Sequence, residues 1–331
     1  MSTVVVEQIK DLETLTAAHA LEVATREVDH VALPADPIEE LIPPILEPDG
    51  PTAGEQMVMW LGRVDGRPVG TIQLRIPTVD NLESLSVEVR VHPDARRRGY
   101  GRQLLDLALA EVRSLGRRRV WFQIPSPYPD GAAPAASMLR SVGARPVLGE
   151  VRRLLDLAKH PTVELAPPVD GYRVVQWVDI APEEYVSDLA RLVQKMSTDP
   201  PMGEMDYEPE VWDAGRYRER EQVAITRNRT RFATGVVHEA SGVMVGMTDI
   251  AVNRDRGDIA YQWDTIVEAG HRSHGLGLTL KAWNLQLLSD RVPEVSWVNT
   301  WNAESNAHMI AVNETLGFEP VERWAEWQLD F

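Results

Sequence analysis

The sequence predicts an α/β protein of the mixed-sheet, α+β kind, built as two tandem copies of one domain. Three observations carry this. A glycine turn occurs twice, each time between an apolar run and a helix-like run. The first is Arg96-Arg97-Arg98-Gly99-Tyr100-Gly101, after residues 87–91; the second is Arg272-Ser273-His274-Gly275-Leu276-Gly277, after a run ending at Val267. The repeat extends past the glycines. Gly70 matches Gly246, Asp65-Gly66 matches Ser241-Gly242, Glu88 matches Asp264 and Val91 matches Val267, all at an offset of 176 residues. Gly143 with Gly317 and Asp156 with Asp330 follow at 174, so one two-residue indel separates the copies. Finally, each half runs through strand-like segments first and then alternates helices with strands, which is the order of a mixed sheet with helices on it. The copies are 1–158 and 172–331, each of roughly 160 residues, a usual domain size.

The elements follow in order. Residues 4–9 read as a strand and 12–28 as an amphipathic helix. Residues 33–52 are proline-rich, with a short helical piece around 38–42. Residues 57–64 and 69–76 flank Asp65-Gly66, a strong hairpin signal. Residues 85–91 form the strand that feeds the first glycine turn, and 101–115 its helix. A strand at 120–124, a proline-rich loop at 125–134, a short helix at 135–142 capped by Gly143, and a strand at 151–157 complete the first copy. Residues 159–171, with three prolines and no amphipathic period, read as a semi-stiff linker. The pattern then restarts: strand 172–178, helix 183–196, acidic loop 197–209, helix 211–228, hairpin 232–238 and 243–252, strand 259–267, helix 277–288, strand 294–300, helix 305–316 and strand 325–331.

Bulk properties exclude several classes. The 34 Lys and Arg against 50 Asp and Glu leave a net charge of −16, the wrong sign for a nucleic-acid partner. The chain has no Cys, hence no disulfide, thiolate–metal site or thiol nucleophile. The N-terminus lacks a signal-peptide pattern, and no apolar run approaches the ~18 residues that would span a membrane. A cytoplasmic protein, monomeric or homodimeric, is expected. No His or carboxylate pair has metal-ligand spacing, so no metal is expected. No G-x-x-x-x-G-K-[ST] occurs, which excludes a P-loop enzyme.

The glycine turns carry the chemistry. The first N–H groups of a helix have no internal partner, and its dipole favours negative charge there. Gly275 and Gly277 let a phosphate approach the backbone, and Arg272 adds a planar fork. Arg96, Gly99 and Gly101 repeat the arrangement, with Arg97 and Arg98 adding charge.

These residues resemble the GNAT superfamily of acyl-CoA-dependent N-acyltransferases. The resemblance rests on Val91-x-Pro93-x-x-Arg96-x-x-Gly99-x-Gly101 and on Asn306 followed by Leu316-Gly317-Phe318, and it covers nearly the whole chain. It implies a central sheet that splays between two parallel strands, with acetyl-CoA in the opening. The pyrophosphate would sit on Arg272, Ser273, His274, Gly275, Leu276 and Gly277, and in the first copy on Arg96 to Arg98, Gly99, Tyr100 and Gly101. The strand residues Thr265, Ile266 and Val267, and likewise Val89, Arg90 and Val91, would hold the acyl arm, with a backbone N–H near Val267 or Val91 on the carbonyl. An amine would attack directly. Catalysis would come from positioning and oxyanion stabilisation.

The chain departs from that pattern where many family members place a Tyr that protonates the leaving thiolate. That slot holds Asn313 in the second copy and Leu139 in the first, so water is left to supply the proton. The slot seven residues earlier is Asn306 in the second copy and falls near Ala132 in the first. The expectation is therefore an acetyltransferase acting on a small primary amine, with a cationic amine suited to the net charge, and with chemistry in the second copy. Asp264 is the candidate base or amine-orienting group, Glu88 its counterpart, and Asn302, Asn306 and Asn313 line the site. His271, His274 and His308 stand nearby as further candidates. Trp263, Trp297, Trp301 and Tyr261 read as core or cleft wall. Glu204, Asp206, Tyr207 and Glu208 form a loop able to attract a cation. Three rival readings stand beside this: an active first copy with a structural second one, a coenzyme-A-binding regulator without transferase activity, and an enzyme acting on peptide Lys or N-termini.

Overall fold

The computed structural model describes residues 2–30, 33–47, 49–127, 133, 135–160 and 169–331. Linker residues 161–168 and the loop position Ala132 lie outside them. Among the described residues the strands are β1 Val5–Gln8, β2 Glu55–Val64, β3 Arg67–Pro77, β4 Ser84–Val91, β5 Arg119–Pro127, β6 Arg145–Asp156, β7 Tyr172–Val178, β8 Arg229–His238, β9 Met244–Asn253, β10 Arg256–Val267, β11 Trp297–Ala303 and β12 Glu319–Asp330. The helices are α1 Leu12–Asp29, α2 Ile42–Leu46, α3 Tyr100–Ser114, α4 Ala136–Ser141, α5 Val186–Met196, α6 Ala214–Thr226, α7 Leu276–Arg291 and α8 Ala307–Thr315.

The chain divides into two compact units. One comprises 1–149, 203–206 and 324–331; the other comprises 150–202 and 207–323. The first unit's sheet runs β1-β2-β3-β4-β5-β12 and the second's β6-β11-β10-β9-β8-β7. The linker thus marks a change of repeat rather than a change of unit. Each copy sends its last strand into the other copy's unit: β6 from Glu150 onward pairs antiparallel with β11, and the end of β12 lies beside β5, where Gln123 Nε2 donates to Glu326 Oε1 at 2.8 Å.

Both units use the same local devices. Asp65 and Gly66 have φ of 49° and 77°, the left-handed pair that a two-residue hairpin turn requires. Gly70 on β3 and Gly246 on β9 face Leu104 of α3 and Leu280 of α7. At these positions a side chain would push helix and sheet apart. Helix α3 buries Leu104, Leu105, Ala108, Leu109 and Val112, an apolar stripe at helical spacing. Asp11 and Asp213 cap α1 and α6 by accepting from Thr14 and Arg216 N–H, each at 2.8 Å. The second cap explains why α6 starts at Ala214 and not at 211. Strands β6 and β12 are longer than their apolar runs suggest. In β6 and β12 the core positions include Arg152 and Glu322, which bury as an ion pair at 2.9 Å with Asn299 bonded to the same guanidinium. A paired charge inside a strand interrupts the apolar pattern without interrupting the strand. Strand β11 begins at Trp297, after a turn at 293–294, although the apolar pattern suggests strand from 294.

Candidate active site

The two glycine turns have nearly the same backbone. Arg96 and Arg272 are extended (φ −66°, ψ 161° and φ −72°, ψ 168°). Arg97 and Ser273 follow at φ 62° and 66°, then Gly99 and Gly275 at φ 83° and 76° as N-caps of α3 and α7. A residue other than Gly in the left-handed region is uncommon, so the matched pair at Arg97 and Ser273 marks a conformation held for a reason. The α7 N–H groups before Thr279, whose N–H takes Gly275 O, are without helical acceptors.

Beside the turns the two units differ. Around Gly277 nothing lies within 4 Å of where a Cβ would stand, whereas at Gly101 that position meets Val91 Cγ2 at 3.4 Å and Met138 Sδ at 3.7 Å. A pocket opens over the second turn between Val267, Ser273, Gly275, Gly277, His308 and Val312. Arg272, Leu276 and His271 also border it.

Both sheets splay where the resemblance requires. The parallel pair β10/β11 is hydrogen-bonded only from Ile259↔Trp297 to Tyr261↔Asn299, although β10 continues to Val267 and β11 to Ala303. The pair β4/β5 likewise stops at Ser86↔Trp121. Beyond those rungs the parallel strands do not pair among the described residues. Of the two strands that precede the glycine turns, only β10 carries a further irregularity. Its register against β9 slips between Gln262 and Thr265, so Trp263 and Asp264 sit in a bulge, while β4 pairs with β3 without a slip.

The structure brings some predicted residues together and separates others. Arg272 and Arg96 are each engaged by the protein itself. Arg272 Nε donates to Val267 O at 2.9 Å and its other arm to Asp199. Arg96 Nε donates to Val91 O at 3.2 Å and its fork holds Asp29 at 2.8 and 2.7 Å. Each arginine therefore ties its strand end to a carboxylate from the preceding helical region. Arg97 and Arg98 are exposed. Tyr100 is buried in the first unit's core, with Val89 and Val91 packed against it. His274 Nδ1 meets Arg272 O at 2.8 Å and braces the turn. Leu276 is buried, Ile266 joins the core under α5, and the Thr265 hydroxyl meets that of Thr248 at 2.8 Å. Asn306 is an N-cap: its Oδ1 accepts from Met309 N–H at 3.2 Å.

Asp264 is held on the α5–α6 side of the sheet, where Arg220 NH2 donates to it at 2.6 Å. Burial works against the charge on Arg220, but Asp264 and then Asp249 more than offset this and raise its pKa. The carboxylate is thus part of a pair, which suits orientation better than proton transfer. Glu88 bonds Arg90 at 2.6 Å, and Arg90 also reaches Glu22 at 3.1 Å. Crowding by protein raises the Glu88 pKa, and the Arg90 guanidinium overrides it, so the carboxyl titrates below its ordinary value. In the acidic loop Glu204 and Asp206 pair with Arg145 and Arg119, and Tyr207 with Glu210, so these are not free groups awaiting a cation. Tyr261 and Trp301 stack at 6.5 Å.

Asn302 and Asn313 do meet, on the α7–α8 side: Asn313 Nδ2 donates to Asn302 Oδ1. Behind Asn313 stands Lys281, whose ammonium donates to Asn313 Oδ1 at 2.6 Å and lies 5.2 Å from the Phe318 ring. Lys281 is 1% exposed and Asn313 fully buried. Burial pulls the Lys281 pKa down to about 7. The sequence reading passed over Lys281. Its signal was a lone charge inside the run Leu278-Thr279-Leu280-Lys281-Ala282-Trp283-Asn284-Leu285. Among the described residues no group of three or more His, Asp or Glu could hold a metal ion, and no helix is long and apolar enough to cross a membrane.

A mixed sheet that opens between its parallel strands, next to a left-handed glycine and an uncapped helix N-terminus, defines a unit of the GNAT kind. Residues 26–132 match the acetyltransferase (GNAT) family, and the fold of the whole chain is similar to that of a tandem GNAT protein. A tandem GNAT protein from the clavulanic acid biosynthesis pathway, solved without acetyl-CoA, is similar over 99% of this chain and 98% of its own, at 29% identity and a TM-score of 0.83. Two further structures share the fold. A GCN5-related N-acetyltransferase from Sphaerobacter thermophilus aligns over 98% of this chain and 95% of its own, at 17% identity and a TM-score of 0.69. The Saccharomyces cerevisiae N-myristoyltransferase with bound myristoyl-CoA aligns over 99% and 78%, at 11% identity and a TM-score of 0.62. A comparison with curated protein sequences returns no match.

Proposed function

We propose that the chain is an acetyl-CoA-dependent N-acetyltransferase acting on a small primary amine, with its chemistry in the second unit. The observation that carries this is the open space beside Gly277, against the packed counterpart at Gly101. A pyrophosphate needs that space, and the α7 N–H groups and dipole supply its charge partners. The coenzyme would bring an activated acyl carbonyl. The freed edge of β10 past Tyr261 offers N–H groups to bind and polarise it. The bulge at Trp263 and Asp264 presents a carboxylate on the opposite side of the sheet from Asn302 and Asn313, which suits an amine arriving from there. Asp264, paired with Arg220, would hold and orient the amine, and water would take its proton.

Calorimetry with acetyl-CoA tests the reading. The expected stoichiometry is one, and Gly277→Val, which fills open space without straining the backbone, should abolish binding. A stoichiometry of two, or binding that survives Gly277→Val, would move the site to the first unit or share it between both. The ion pair on Asp264 and the absence of an acid at position 313 favour one alternative, a coenzyme-A-binding regulator. Binding without thiol release across a broad panel of amines would select it.

A further inference from the structure

Position for position, the two copies fill one site with opposite chemistry. Lys281 and Asn313 of the second copy correspond to Leu105 and Leu139 of the first, at the repeat offsets of 176 and 174. Both leucines are buried in the first unit's core. The fold is therefore satisfied by two apolar side chains there, and the second copy instead buries an ammonium and an amide. Burying such groups is destabilising when they are incompletely paired. Among the described residues the Lys281 ammonium has one hydrogen-bond acceptor, Asn313 Oδ1. Packing does not account for that choice.

Direction does. An ammonium has three donors and no acceptor, so the Asn313 atom facing it must be the oxygen. The Asn313 Nδ2 then points the other way and donates to Asn302, which must offer its Oδ1. Asn302 is left with its own NH2 group, which takes no partner among the described residues. Its side chain is half-buried, three residues past the last β10/β11 rung. A donor is thus presented where the strands part.

We propose that Lys281 is a positioning residue that sets the sense of the chain Lys281–Asn313–Asn302, so that Asn302 donates a hydrogen bond to the departing sulfur of coenzyme A. This rests on the function proposed above and supplies what the missing Tyr leaves open. When the amine nitrogen bonds to the acyl carbon and the C–S bond breaks, the sulfur keeps the electron pair. The Asn302 N–H steadies the thiolate, and solvent water protonates it. No proton leaves Asn302 or Lys281. The lowered Lys281 pKa fits an ammonium held by one neutral acceptor.

The thiol titration of bound coenzyme A tests this without any acceptor. The protein has no Cys, so the pH dependence of alkylation at sulfur by a thiol reagent, which reacts with the thiolate, reports the coenzyme thiol alone. Calorimetry first establishes that coenzyme A binds. Below pH 7, where Lys281 stays an ammonium, the bound wild-type thiol should carry about tenfold more thiolate than free coenzyme, as a charge-assisted hydrogen bond requires. Asn313→Asp keeps the size and gives Lys281 a carboxylate, but it accepts on both sides and turns Asn302 to present oxygen. The thiolate gain should vanish while binding persists. The double variant Lys281→Leu/Asn313→Leu copies the first unit, should fold, and should also lose the gain. A bound wild-type thiol that titrates like the free one overturns the proposal, as does an Asn313→Asp protein that titrates like wild type. Failure of coenzyme A to bind at all removes the functional reading with it.

Discussion

The two halves of this protein keep one backbone and spend it differently. At the glycine turns their torsions agree within a few degrees. A few ångströms away they diverge. The first unit fills the space with Val91 and Met138 and closes the interior with Leu105 and Leu139. The second leaves the space open, buries Lys281 and Asn313, and bulges the central strand at Asp264. Side chains, rather than the turn, thus distinguish the two copies. A glycine motif reports a backbone shape that both uses share.

The largest effect should come from erasing that difference. Burial lowers the Lys281 pKa to about 7, while in the unfolded chain a lysine titrates near ~10.4. Between those values the unfolded chain binds more protons than the folded one, so stability should rise with pH from about 7 towards ~10 and carry its full penalty below 7. The double variant Lys281→Leu/Asn313→Leu removes the group. It should flatten this slope and gain on the order of 3–5 kcal/mol at pH 6. Denaturant melts at pH 6 and pH 9.5 check it. If wild type and variant show the same pH slope, Lys281 is not the desolvated group the geometry makes it.

A second contrast concerns helix–sheet contact. An added Cβ at Gly70 would stand 2.4 Å from Arg90 O and 2.5 Å from Leu104 Cδ1, but at Gly246 its nearest contacts are 3.0 Å from Ile266 O and Val236 Cγ2. The Arg90 carbonyl belongs to a strand and cannot step aside. Gly70→Ala should cost about 2–3 kcal/mol and Gly246→Ala about 1, the range of overpacked cores. Urea midpoints of the two variants test the order. Equal losses would mean that α3 and α7 are seated with equal freedom.

How much of this was legible in the sequence follows from what each residue touches. The repeat, the strands feeding the turns and the hairpins were legible because turn chemistry and apolar period act over a few neighbours. Asn306 satisfied two local rules at once, cap and ligand, and the backbone of α8 took it as a cap. Arg272 and Arg96 looked like phosphate forks because their sequence neighbours are glycines. Their partners within the protein, Asp199 and Asp29, lie 73 and 67 residues away. The strand exchange was hidden because pairing partners leave no mark near a linker. Lys281 was hidden because its meaning depends on Asn313 and on Leu105 in the other copy.

The smallest effect separates the two arginines. Arg96 grips Asp29 with both arms, whereas Arg272 holds Asp199 with one, and both side chains stay over a third exposed. A two-armed pair is the better-defined of exposed ion pairs, so Arg96→Ala should cost about 1 kcal/mol and Arg272→Ala about half that. Their consequences for ligand should run the other way. Arg272 braces the strand end at Val267, beside the open pocket. Arg272→Ala should weaken acetyl-CoA binding by about threefold to tenfold through a looser turn, roughly the ~1 kcal/mol scale of a lost hydrogen bond. Arg96→Ala should leave binding unchanged. Calorimetry on both variants reads this directly. A loss beyond ~100-fold at Arg272 would mean that its guanidinium leaves Asp199 and takes the phosphate itself, since truncating a charged pair at that scale is the signature of direct contact. A loss at Arg96 would mean that the packed first turn opens after all, and the contrast between the two copies would then be one of degree.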